Sequence, residues 1–160
     1  MRTHIFRTSY RSVNTELPLL LRSPAPRTVL VFGYAPSSNA IRLERTARNE
    51  TPAALEDVEG QRHEGSIVES GPPQLSSTLA LGELNLILGN HGFAVAFSDD
   101  AGGYVCNYAF YLLQHLAKEL GITHSGLIHL PNAERYRQQV GHPPDYGAVV
   151  RLIVDSVQPQ

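Results

Sequence analysis

Apolar positions recur at two different periods along this chain, and the places where one period gives way to the other predict its elements. His4 to Ser9 reads as a short strand. From Val13 to Leu21 the spacing becomes helical, with Leu17, Leu20 and Leu21 on one side, and Pro24 and Pro26 close the segment. Thr28 to Phe32 is a dense apolar run, the kind of strand that is covered on both faces in α/β proteins, and 33–38 turns after it. Ala40 to Asn49 forms a second structured piece that carries Glu44, with Arg42, Arg45 and Arg48 at helical spacing. Thr78 to His91 returns to a helical period through Leu81, Leu84, Ile87 and Leu88. Phe93 to Phe97 is a buried strand bounded by Gly92 and Ser98, and Tyr108 to Leu120 is a one-sided helix ended by Gly121. Gly126 to Leu130 is a last apolar strand, stopped by Pro131. A polar, proline-bearing loop then leads to a final helix, Asp145 to Val157, in which Val149, Leu152, Ile153 and Val157 align.

Strands alternating with helices predict an α/β fold, a three-layer α/β/α sandwich around a mostly parallel, mixed sheet. A length of 160 residues suits a single domain, 1–160, with a sizeable core. Between Glu50 and Ser77 the pattern breaks down into Pro, Gly, Glu and Ser, which predicts either a functional loop or a mobile one.

Composition narrows this picture mainly by exclusion. With 13 basic and 15 acidic residues the formal net charge is −2, and nothing in that balance points to nucleic acid or a membrane surface. The three arginines read as a solvated or ion-paired face rather than a recognition stripe. One cysteine leaves no internal disulfide framework and fits a reducing compartment, so the expected location is cytoplasmic. No apolar run approaches a membrane span, and Met1 to Ser9 lacks the apolar core of a signal peptide. None of the 7 histidines repeats at metal-ligand spacing, so no metal site and no cofactor are expected.

The single cysteine falls where the glycine pair Gly102-Gly103 hands over from a strand to a helix. Unpaired N–H groups and the dipole at a helix start favour an anion, so Cys106 is a candidate nucleophile there. Its bland alternative is an inert core thiol. His129, at the end of an apolar strand, is either a hydrogen-bonded core histidine or the base that takes the thiol proton. Glu44 either pairs with Arg48 or orients that imidazole as the third member of a triad. Ligand sites of open α/β sheets form at the carboxyl ends of strands, which brings Glu44, Cys106 and His129 together in principle. Spacing alone leaves both sets of readings open.

Three ordered segments resemble one known family. Asp100-Ala101-Gly102-Gly103-Tyr104-Val105-Cys106-Asn107, followed by Phe110-Tyr111, is similar to the cysteine signature of the pyroglutamyl peptidase I (pyrrolidone-carboxylate peptidase) family. Gly33-Tyr34-Ala35, then Ala40-Ile41-Arg42-Leu43-Glu44-Arg45 and Ala47-Arg48-Asn49, resembles its glutamate motif, and Leu127-Ile128-His129-Leu130-Pro131 its histidine motif. The resemblance implies a phosphorylase/hydrolase-like three-layer fold and a cysteine exopeptidase that removes N-terminal pyroglutamate (5-oxoproline) from peptides without metal or cofactor. It implies Cys106 as nucleophile, His129 as general base and then acid, and Glu44 as the orienting carboxylate. It further implies Tyr34, Leu55, Tyr104 and Val105 as residues lining the pyroglutamyl pocket, and the Cys106 backbone N–H as an oxyanion donor. Family members are typically cytosolic homo-oligomers, often tetramers.

The chain also departs from the family's pattern. Members begin with a strand and an aromatic-bearing loop ahead of the point matched by Met1, so the expectation is a domain without that first strand and loop. The family's Gly-Arg in the glutamate motif reads Ser37-Ser38 here, and an arginine of the following loop aligns nearest Ala54. These departures keep an alternative in view: a truncated, catalytically impaired member acting only as a peptide- or protein-binding module.

Overall fold

Alternate residues of the first strand face two different helical layers. The computed structural model of the chain describes residues 1–22, 24–51 and 55–157. In β1 (Thr28–Ala35), Val29 and Val31 pack on one side against α1 (Tyr10–Arg22) and α3 (Val105–Leu120). Leu30 and Phe32 pack on the other side against a cluster built by α2 (Leu81–Asn90) and α5 (Tyr146–Ser156). The chain is therefore an α/β fold with three layers, α1 and α3 over one sheet face and α2 and α5 over the other. The unbroken apolar run from Val29 to Phe32 suits packing on both faces.

The sheet has the order β1-β6-β2-β5, with β2 at Ile41–Glu44, β5 at Val95–Ser98 and β6 at His124–Pro131. β1 pairs with β6 in parallel and β2 with β5 in parallel, while β2 and β6 meet antiparallel. The sheet is mixed. A separate antiparallel pair, β3 (Thr46–Arg48) with β4 (Gln74–Ser76), sits against α3 through Ala47, Leu75, Phe110 and Tyr111. Gly121 closes α3 in the left-handed region, at φ 69°, which a residue without a Cβ adopts at no steric cost. Among the described residues no helix is long and apolar enough to cross a membrane.

Several elements differ from the sequence reading. His4 to Ser9 forms no strand. It runs beside the outer edge of β1, and among the described residues no backbone hydrogen bond joins the two. Cavities of about 420 and 810 Å³ open between Met1–Phe6 and β1, one toward α1 and one toward α5. Ala40 to Asn49, read only as a structured piece whose arginines fall at helical spacing, is two strands: Ile41 and Leu43 are fully buried on one face while Arg42 and Glu44 point to the other. α3 begins at Val105 rather than Tyr108, and the polar loop after Pro131 contains a helix, α4 (Ala133–Val140). That helix buries only Tyr136, so it carries little apolar signal; its marks are the cap Asn132, which accepts from the N–H groups of Glu134 and Arg135, and Gly141 at φ 97°.

The tract from Glu50 to Ser77 is tied down by side chains. The Asp57 carboxylate accepts from the backbone of Tyr10, Glu59 and Gln61. Asn49 donates to the carbonyls of Val68 and Gly71 and accepts from the Val68 N–H. Such bonds order a chain without any hydrophobic period.

Candidate active site

The odd–even rule of β-strands decides which side chains meet beneath α3. In the antiparallel pair of β2 and β6, Arg42 lies opposite His129, and on the other flank of β6 the parallel register puts Gly33 opposite His129. Arg42, Glu44 and His129 share the sheet face that α3 covers, and Cys106 stands in the first turn of that helix. Glu44 is the last residue of β2 and His129 lies two residues before the end of β6; because these strands run antiparallel, the two side chains meet across the shared face rather than at one common end of the sheet.

Glu44 is fully buried; its Oε1 accepts from Nδ1 of His129 at 2.8 Å and forms an ion pair with Nε of Arg42 at 3.1 Å. Its Oε2 has no partner among the described residues. With Nδ1 committed to the carboxylate, Nε2 of His129 is the nitrogen left for the thiol. A Cβ placed on Gly33 would sit 2.9 Å from that Nε2 and 3.0 Å from Sγ of Cys106, so the two atoms flank the same backbone position. Burial on its own lowers the imidazole pKa, but hydrogen bonds to Cys106 and Glu44, reinforced by their charges, outweigh it and raise the value to about 9. The three residues thus form a connected thiol–imidazole–carboxylate line, an arrangement chemically capable of nucleophilic acyl transfer.

The turn before Cys106 is built to present it. Gly102 has φ 78°, a conformation costly for any residue with a Cβ, and its N–H donates to Oδ1 of Asp100. Tyr104 is the N-cap of α3 and makes no side-chain cap bond, which leaves first-turn N–H groups of the helix open to an anion. Arg45 pairs with Asp99, Arg48 with Asp100 at 3.3 Å, and Arg42 reaches the Asp100 carbonyl and the Ser98 hydroxyl. All three arginines therefore grip the segment that leads to the cysteine, Arg42 and Arg48 from strands and Arg45 from the residue between them, none from a helix.

The remaining expected site residues are spread more widely. Tyr34, at the end of β1, is largely exposed and its hydroxyl accepts from Nδ2 of Asn132. Leu55 is exposed. Tyr104 donates to the Glu56 carbonyl, and its ring meets Tyr10 edge-on. Val105 is buried in the cluster of α1 and α3 and presents little surface to a ligand. Ser38 is taken up by a turn, its hydroxyl donating to the Ala40 carbonyl, and Ala54 lies outside the described residues. Sequence reasoning gave Arg42 and Gly33 no part in the chemistry; alternation within Ile41–Glu44 was the signal that would have put Arg42 beside Glu44. Among the described residues no group of three or more His, Cys, Asp and Glu is placed to hold a metal ion.

The family model described as pyroglutamyl peptidase matches residues 1–155. The chain belongs to the pyroglutamyl peptidase family. The pyrrolidone-carboxylate peptidase of Klebsiella pneumoniae is 35% identical over 134 residues, 83% of this chain and 62% of its own length. That of Pyrococcus furiosus is 36% identical over 108 residues, 66% of this chain and 52% of its own. Among solved structures, the pyrrolidone carboxyl peptidase of Fervidobacterium islandicum matches with a TM-score of 0.84 at 26% identity, covering 96% of this chain and 79% of that one. A mutant P. furiosus pyrrolidone carboxyl peptidase matches with a TM-score of 0.83 at 28% identity, covering 94% and 78%. The chain thus spans between half and two thirds of the length of these curated pyroglutamyl peptidase relatives.

Proposed function

We propose that this chain is a cysteine exopeptidase that releases N-terminal pyroglutamate from peptides through Cys106, His129 and Glu44. The observation that supports this most directly is the buried Glu44–His129 bond directed toward Cys106 at an uncapped helix start. In this reading Nε2 of His129 takes the thiol proton, and Sγ attacks the carbonyl carbon of the pyroglutamyl amide. The oxyanion that forms is held by the backbone N–H of Cys106 at the start of α3. The imidazolium, its Nδ1–H anchored on Glu44, then gives its proton to the leaving amine. Water, deprotonated in turn by His129, hydrolyses the thioester and restores the thiol. Tyr34, Leu55 and Tyr104 would border the ring of the substrate, with Val105 behind them. The same reading takes the protein to act in the cytoplasm as a homo-oligomer, as the single free cysteine and the family support.

The test is release of a fluorogenic amine from its pyroglutamyl amide by the native chain and by Cys106→Ala. Release by the native chain alone is the expected outcome; equal release by both, or none by a folded native chain, overturns the proposal. Ser37-Ser38 in place of the family's Gly-Arg favours one second reading, binding of pyroglutamyl peptides without turnover. Calorimetric binding of a pyroglutamyl peptide by a folded but inactive native chain would support it.

A further inference from the structure

Besides His129, Arg42 is the one basic side chain that pairs with the Glu44 carboxylate among the described residues. Its guanidinium lies three-quarters buried between Glu44 and the segment that carries the cysteine. Nε approaches Oε1 of Glu44 at 3.1 Å, while Nη2 donates to the Ser98 hydroxyl and to the Asp100 carbonyl. Oε1 therefore takes both the hydrogen bond from His129 and the ion pair with Arg42, and Oε2 has no partner among the described residues. A fully buried carboxylate with a single donor and a single counter-charge would draw on that partner strongly. The other charges around the site are already matched, Asp99 by Arg45 and Asp100 by Arg48, and Tyr104 is the remaining titratable group close to Cys106.

We propose that Arg42 is a positioning residue of the site: it shares the Glu44 carboxylate with His129, moderates the pull of that carboxylate on the imidazolium, and fastens both to the loop preceding Cys106. The proposal rests on the catalytic reading given above. Without Arg42, the buried negative charge falls to His129 alone, and the imidazolium holds its proton more tightly. A general acid that holds its proton too tightly serves the leaving amine poorly.

The experiment follows the titration of His129 by NMR in the folded native chain and in Arg42→Met, Arg42→Gln and Arg42→Lys, with folding checked by circular dichroism. It needs no turnover. The native midpoint is expected near 9. Arg42→Met raises it by about one pH unit or more, as loss of a charge at this range in a partly desolvated site predicts. Arg42→Gln, which keeps donors and removes the charge, shifts it the same way and carries the test should the Met variant not fold. Arg42→Lys returns the midpoint to within about half a unit of the native value, since the charge is restored. An unmoved midpoint in the folded Met or Gln variant overturns the role of Arg42 while leaving the catalytic line intact. A native midpoint near the ordinary histidine value of about 6.5 overturns the coupled Cys106–His129–Glu44 line and this proposal with it.

Discussion

A methyl group at Gly33 would stand 2.7 Å from Cδ2 and 2.9 Å from Nε2 of His129, and 3.0 Å from Sγ of Cys106. Real Cβ contacts do not come that close, so the imidazole or the thiol must move. Gly33 lies in the middle of an eight-residue strand and has no left-handed backbone to explain it; the space it leaves is what matters. The pair it would separate is the one whose hydrogen bond helps to hold the imidazole pKa near 9. Gly33→Ala is therefore expected to lower turnover of a pyroglutamyl amide about 100-fold, the scale of an ångström's misplacement at reacting atoms. It should cost only about 1–3 kcal/mol of stability, as overpacking does. The initial rate of amine release by the folded variant beside the native chain checks the loss of turnover, and an unchanged rate would mean that imidazole and thiol keep their approach despite the added methyl.

Among the elements, α3 gains its position from more than its apolar face. Asn107, one residue after Cys106 and 2% exposed, accepts from the Arg48 N–H at 2.9 Å and donates to the carbonyls of Arg48 and Glu50 at 3.0 and 2.9 Å. It stitches the helix to β3 as a strand neighbour would. Asn107→Ala strands these buried backbone groups and is expected to cost about 3 kcal/mol, read as a lower urea midpoint. An unchanged midpoint would mean that water replaces the amide without loss. The same distinction explains what could be read from the chain. Helices with a wide apolar stripe, such as Leu81, Leu84 and Leu88 or Val149 and Ile153, announce themselves, and so do strands buried on both faces. α4, with Tyr136 alone inside, and β3 with β4, held in part by Asn107, do not. The grouping of Cys106, His129 and Glu44 was legible because the segments that carry them are local, and the helix start at Cys106 follows from glycines. Arg42 was hidden because its spacing with Arg45 and Arg48 mimics a helix, whereas the pairing that fixes its direction is 85 residues away in sequence from Glu44, at His129.

At the scale of the whole molecule, titration ties the site to folding. In the folded protein His129 titrates at about 9, against about 6.5 for an unhindered histidine, so the native state binds its proton the more tightly. Stability from the imidazolium is therefore complete below about pH 6.5, declines as pH rises, and is gone once pH has passed about 9. The carboxylates act in the other direction. Burial raises the pKa of Asp57, but hydrogen bonds from the backbone of Gln61, Glu59 and Tyr10 outweigh it and leave it below the ordinary value. Hydrogen bonding and charge from Arg45 lower Asp99 in the same way, as those from Arg137 lower Glu134. A group with a depressed native pKa stabilises above its unfolded value and ceases to do so as pH falls through the folded one. Thermal midpoints should accordingly fall off in acid and decline again from about pH 6.5 to 9. In His129→Gln the alkaline decline should disappear while the acid limb stays, because Asp57 holds the 57–61 turn to α1, away from the catalytic line. An alkaline decline that survives in His129→Gln would place its origin in another group and break the link between the imidazolium and the fold.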